Sequence, residues 1–175
     1  MIPYGGPELA KAFRTVRGNT IQIAEEIPED QYAFVAAPGV RSVGTLLVHI
    51  AFSSMLQDDV HRVKRLTTFA GYDFGAFMGA LAAEEQKQRT KGEIILALRL
   101  RGDDFAGWLE TLTPEFLSET FTDHAGQNER TRFEGLLSPK EHEMHHRGQL
   151  MLIERMIGVV PHLTRAMQAR MAARA

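Results

Sequence analysis

The 175-residue chain contains no cysteine. Disulfides, thiolate-ligated metals and a cysteine nucleophile are thereby excluded, and a reducing compartment, the cytoplasm, is the expected location. The chain also lacks any apolar run near the roughly 20 residues that a membrane-spanning helix needs. Its first residues, "MIPYGGPELAKAF", have no basic start followed by an apolar segment and do not read as a secretion signal. No membrane partner is expected. An excess of one charge is missing too: the formal net charge is −2, which argues against a nucleic-acid partner held by neutralising phosphates. Arg165, Arg170 and Arg174 recur near the end of the chain, where a solvated helix end accounts for them. There is no long alternating apolar–polar run from which a sheet is built, no internal repeat and no low-complexity segment.

What is present is ordinary globular composition, 44% apolar and 24% charged, in a length that suits one domain spanning residues 1–175. Glycine and proline divide it into helical segments. The first is expected to open at Pro7, carry Leu9, Phe13, Val16, Ile23 and Ile27 on its apolar side, and stop before Pro28. A second starts after Ser42 and runs to about Leu66, with Leu46, His49, Phe52, Leu56, Val60 and Val63 on one face. A shorter helix holds Phe77, Met78 and Leu81. A third long helix begins at Thr90-Lys91-Gly92-Glu93, a capping-box spacing, and the last long helix is expected to begin at Ser138-Pro139-Lys140-Glu141. It should end at Gly158, followed by a short helix from Leu163. The segment before it, from Thr113, is turn-rich with room for a short extended excursion. Long helices with short-to-medium connections imply an all-α four-helix bundle with short extra helices, an architecture that builds metal sites from facing side chains.

The last long helix concentrates three of the seven histidines in "KEHEMHHRGQL". His142 and His146 lie one turn apart, about 40° around the axis, at the head of a face continued by Gln149, Ile153, Met156 and Ile157. Two imidazoles on a core face each leave a ring nitrogen to satisfy, which hydrogen bonding to backbone explains less well than a shared ion does. The run also matches H-E-x-x-H, in which the glutamate of a zinc protease acts as base. The longer protease pattern fails here, because the glycine comes one residue early and Leu152 stands in the third ligand's place. A third ligand from another helix is the remaining reading, and His49 is the candidate, since it interrupts the apolar face of the second helix. His61 is expected off that face and solvated. His124 lies in a polar loop, and His162 follows a proline. Asp58 and Asp59 fall off the His49 face, which leaves no fourth protein ligand and favours an open, reactive site.

These residues resemble a known family. "HEMHHRGQL" with "IERMIGVVP", and "VRSVGTLLVHIAFS", are similar to the DinB, or DinB/YfiT-like, family of metal-binding proteins (the damage-inducible family, not the lesion-bypass polymerase of the same name). The most specific element is H-x-x-x-H-R-G-Q: His142, His146, Arg147, Gly148 and Gln149. The resemblance covers nearly the whole chain. It implies an up-down-down-up four-helix bundle, a homodimer, a role in stress response, and a divalent ion held by His49, His142 and His146. It assigns no role to Glu143 or His145.

Family members of known activity include enzymes that use low-molecular-weight thiols, so the resemblance implies a small-molecule substrate and, first, metal-activated thiol transfer. A hydrolase in which the ion ionises water is an alternative, with Glu143 as the candidate catalytic base. Against that role, Glu143 reads better as a solvated carboxylate near a helix start. A non-catalytic bundle with a structural metal is the third reading. His142, placed about one turn inside the helix, would feel the positive helix end, favouring an anionic ligand. Met144 and Met151, opposite the ligand face, make the helix apolar on two sides, as a subunit contact does. Arg147 suits an ion pair, and His145 and Gln149 suit positions around the pocket. The stretch from Thr67 to Leu81 is expected at the pocket mouth. Zinc, nickel and iron all suit imidazole donors.

Overall fold

The computed structural model describes residues 4–174. Four long helices form the bundle: α1 (Gly6–Glu26), α2 (Val43–Ser53), α5 (Lys91–Glu110) and α7 (Arg132–Met156). Shorter helices are α3 (Met55–Gln57), α4 (Phe74–Gln86), α6 (Pro114–Ser118) and α8 (His162–Ala172). The extended excursion is a two-residue ladder, with β1 (Thr120–Phe121) antiparallel to β2 (Arg130–Thr131). Among the described residues no helix is long and apolar enough to cross a membrane.

Caps set the helix starts. Ser42 accepts the Thr45 N–H at 3.2 Å, and Thr90 and Glu93 close a capping box at the head of α5. α7 begins about two turns earlier than the Ser138 start expected from the sequence. Its cap is Thr131, which accepts the Glu134 N–H while Glu134 accepts the Thr131 N–H. Pro139 therefore lies inside the helix, where it leaves the carbonyl of Gly135 without its usual donor. α7 ends in a Schellman turn: Gly158, at φ +83°, donates to Arg155 O, and Val159 donates to Glu154 O.

The second expected helix is broken. α2 stops at Ser53, and Asp58–Val63 form a π-turn. Each π-type turn holds more residues than an α-turn, so a wheel drawn at 3.6 residues misplaces everything beyond it. Val63, expected inside, is 69% exposed, and His61, expected in solvent, is fully buried.

α1 and α2 each pack against both α5 and α7. The cyclic order is therefore α1, α5, α2, α7, with α1 diagonal to α2. One apolar cluster gathers Ile21, Leu47, Ile50, Leu98 and Leu150; a second gathers Phe13, Phe105, Leu109 and Leu136; Val60, Phe69 and Phe121 form a third. On α1, Arg17 lies between Phe13 and Ile21; on α5, Gly102 lies between Leu98 and Phe105; on α7, Glu143 lies between Leu136 and Leu150. A polar layer thus separates the two main clusters.

Candidate metal centre

His49 on α2 and His142 and His146 on neighbouring α7 meet at one point. The Nε2 atoms of His49 and His142 are 3.2 Å apart, and those of His146 and His142 are 3.1 Å apart. His49 and His146 are buried and His142 half-buried. Burial pushes all three pKa values down: His142, with further help from His146 and His49, falls to about 4, and burial outweighs the opposing bonds of His49 to Glu85 and of His146 to Gln149. At neutral pH these rings are neutral and carry lone pairs.

The outer hydrogen bonds fix where those lone pairs point. His49 Nδ1–H donates to Glu85 Oε1 at 2.8 Å; a carboxylate only accepts, so the proton is on Nδ1 and Nε2 is bare. His146 Nδ1–H donates to Gln149 Oε1 at 2.8 Å, with the same consequence. Two lone pairs therefore face His142 Nε2, which has at most one proton to offer, and His142 Nδ1 is buried without any partner. No assignment of protons satisfies this set. A cation does. Imidazole nitrogens bound to one ion at about 2.0–2.1 Å in tetrahedral array lie about 3.3 Å apart, close to the spacing found. The donor set fits a divalent transition metal, with His49, His142 and His146 as its holders. Among the described residues no other histidine, aspartate or glutamate joins the cluster.

Glu85, at the end of α4, was hidden in a polar run. Arg41 Nε and Nη2 donate to its two oxygens at 2.8 and 3.1 Å. Burial opposes ionisation of Glu85, but the bonds from Arg41 and His49 outweigh it and hold its carboxyl below the usual range. Its neighbour Glu84 instead serves Lys87 and Arg89. Local sequence does not distinguish the two glutamates; only the packing of α4 on α2 does. Gln149 donates from Nε2 to His145 Nε2 at 3.3 Å, so His145 steadies the residue that holds His146.

Glu143 is not the solvated carboxylate expected near a helix start. It is fully buried, and both its oxygens accept from Arg17 Nε at 3.0 and 3.1 Å. The earlier start of α7 places it and His142 about three turns inside the helix, where the positive helix end no longer acts. Asp58 is engaged by Arg62, and Asp59 by Lys64 and Tyr72. Of the remaining histidines, His61 is buried against Phe121 and accepts from Arg132 Nη1 at 3.0 Å, while His162 is buried with Nε2 donating to Asn19 Oδ1 at 3.2 Å. His124 is exposed beside Phe74.

A cavity of about 620 Å³ opens against His146, lined by Arg41, Glu85 and Gln149 and by apolar Leu46, Leu152 and Ile153. Its rim is the 36–41 loop and the end of α4, rather than the stretch 67–81. A groove of about 520 Å³ along α5, at Leu96 and Leu100, has no histidine in its lining.

The sequence profile of the DinB superfamily matches residues 12–150. The chain belongs to the DinB superfamily. A DinB-like protein of Bacillus subtilis, YjoA, is 24% identical, with a TM-score of 0.63 over 86% of this chain and 92% of its own. YfiT of Bacillus subtilis, described as a probable metal-dependent hydrolase with an unusual four-helix bundle topology, is 18% identical, with a TM-score of 0.66 over 88% of each chain. At these identities the two structures establish the shared four-helix-bundle fold. No curated protein matches the chain.

Proposed function

We propose that this DinB-superfamily protein is a metal-dependent enzyme that transfers a low-molecular-weight thiol to a small electrophilic substrate, using a divalent transition metal held by His49, His142 and His146. The observation that supports it most is the convergence of bare imidazole nitrogens beside a cavity of substrate size. A bound divalent ion supplies Lewis acidity, which lowers the pKa of a thiol and makes a nucleophile at neutral pH. The chain's own part is positional. Glu85 and Gln149 fix the tautomers of His49 and His146. Leu46, Leu152 and Ile153 give the cavity an apolar wall, and Arg41, bound to Glu85 through Nε and Nη2, brings a positive charge to its lining. Neither carboxylate near the histidines is free to act as a base, since Glu143 is tied to Arg17 and Glu85 to Arg41 and His49. This favours thiol transfer over hydrolysis, because a thiol is far more acidic than water and ionises at a metal with less help from a base. Hydrolysis is the second reading, supported by the description of YfiT.

Zinc, nickel and iron all suit the donors. A cytoplasmic homodimer belongs to the same reading. Met144 and Leu152 on α7 are 44% and 60% exposed, apolar surface of the kind a second subunit covers, while Met151, expected beside Met144, packs against the core. The deciding experiment is elemental analysis of protein purified without a nickel resin, comparing wild type with His49→Ala and His146→Ala, followed by thiol-transfer and hydrolysis assays. About one transition metal per chain, lost in both variants, is expected. Metal retained in His49→Ala but lost in His146→Ala reduces the site to a clamp within α7, and metal in neither wild type nor variants removes the enzyme reading in favour of a non-catalytic bundle.

A further inference from the structure

α1 carries none of the three histidines, yet one of its side chains reaches each of the other three bundle helices. Arg17 is 3% exposed. Its Nε donates to both oxygens of Glu143 on α7, its Nη1 to Leu98 O on α5 at 2.8 Å, and its Nη2 to Ile50 O on α2 at 3.3 Å. Ile50 follows His49 in the chain, and Glu143 follows His142. One guanidinium is therefore tied, a single residue away, to a histidine on each of the two helices that bring the imidazoles together.

The space for this contact is built in. A Cβ at Gly102 would lie 2.8 Å from Arg17 Cγ and 3.1 Å from Nη1, so only glycine lets the side chain cross α5. The Phe13 ring lies 5.1 Å from the guanidinium carbon and closes the other side. An ion pair inside an apolar core adds little net stability over apolar side chains of similar volume, because desolvating both charges offsets their attraction. What the pair does supply is direction. A planar fork with fixed N–H vectors holds its acceptors at set angles, which apolar contact does not.

We propose that Arg17 and Glu143 are a positioning clamp that sets the separation and rotation of α2 and α7, so that the affinity of the three-histidine centre for its ion is governed in part from a helix that contributes no ligand. The proposal rests on the metal reading above. It assigns Glu143 a place in the site's function through His142, not through the reacting atoms.

The test uses Co(II) as probe, with affinity read by competition against a chromophoric chelator and geometry read from the visible absorption of the bound ion. The double variant Arg17→Met/Glu143→Met removes both charges while keeping the volume, and is expected to unfold at a denaturant concentration near that of wild type. Its Kd for Co(II) should rise about 10- to 100-fold, the range seen when groups that orient ligands are removed, and the Co(II) spectrum should change in shape. Gly102→Ala, which presses on Arg17 and touches no histidine, should raise Kd in the same direction by less. A double variant with wild-type Kd and spectrum overturns the clamp and leaves the metal reading standing. Wild-type protein that takes up no Co(II) overturns the metal reading and the clamp with it. Should the double variant fail to fold, Gly102→Ala decides: wild-type affinity in that variant overturns the clamp, and weakened affinity in a folded protein supports it.

Discussion

Helix α7 carries buried polar groups at its start, middle and end, and they differ in how they are satisfied. Near the start, Arg132 is bound by Glu119 and by His61, a neutral imidazole that burial and the charges of Arg132 and Arg130 push down to about 4. In the middle, His142 is pushed down to the same value, largely by burial, yet its Nε2 faces two other bare nitrogens. At the end, Glu154 is fully buried with neither oxygen hydrogen-bonded. Burial and a lowered pKa are shared by His61 and His142. Convergence is not, and convergence separates an ion site from a packed histidine.

The sharpest way to break this contrast is to remove one imidazole from each place. His142→Ala should lower metal affinity by at least about 100-fold, measured by chelator competition, while His61→Ala leaves it within twofold. Loss of metal in His61→Ala would dissolve the distinction. The same His61→Ala variant should lose about 2–4 kcal/mol in urea unfolding, since it opens a cavity and strips Arg132 of an acceptor. Glu85→Ala sharpens the middle region further. Metal affinity should drop about 10- to 100-fold as His49 loses the carboxylate that fixes its tautomer, with apo-protein stability little changed.

The smallest effect belongs to the far end and depends on pH. Burial, reinforced by Glu26, pushes the Glu154 carboxyl up to about 7, against the opposing charges of Arg165 and Arg155. The folded chain therefore holds a proton there that the unfolded chain releases near 4.5. Its contribution to stability is full below about pH 4.5 and is lost as pH rises through about 7. Glu154→Gln, which mimics the protonated acid, should stabilise the protein by about 1–3 kcal/mol at pH 8 and by nothing measurable at pH 4.5. An equal gain at both values would show that packing, not ionisation, governs that end.

Much of this was legible in the sequence, and the exceptions have physical reasons. The helix count followed from periodicity and from caps such as Ser42 and the Thr90–Glu93 box. The meeting of His49 with His142 and His146 followed from faces: two imidazoles one turn apart, and one interrupting an apolar stripe. The true start of α7 was also written locally, as Thr131-x-x-Glu134, but Ser138-Pro139 gave a stronger signal for a start that tertiary packing overrides. The π-turn at Asp58–Val63 has no periodic signature, so His61 and Val63 exchanged places. Arg17 offered a trace: it sits four residues after Phe13 and four before Ile21, on the apolar stripe. Its partner Glu143 is 126 positions away, and no local pattern joins them. Glu85 reaches His49 across 36 positions for the same reason.

The separation of His49 from His142 along the chain is 93 residues. An ion shared by the two ends of that loop would act as a reversible cross-link in a protein with no cysteine to form a permanent one. By the chain-entropy estimate used for disulfides, closing a loop of this length removes unfolded-state freedom worth about 4–5 kcal/mol. With an ion bound there, the centre would have a second consequence besides chemistry: the persistence of the fold would follow the metal content of its surroundings, and starvation for metal would shorten the life of the protein.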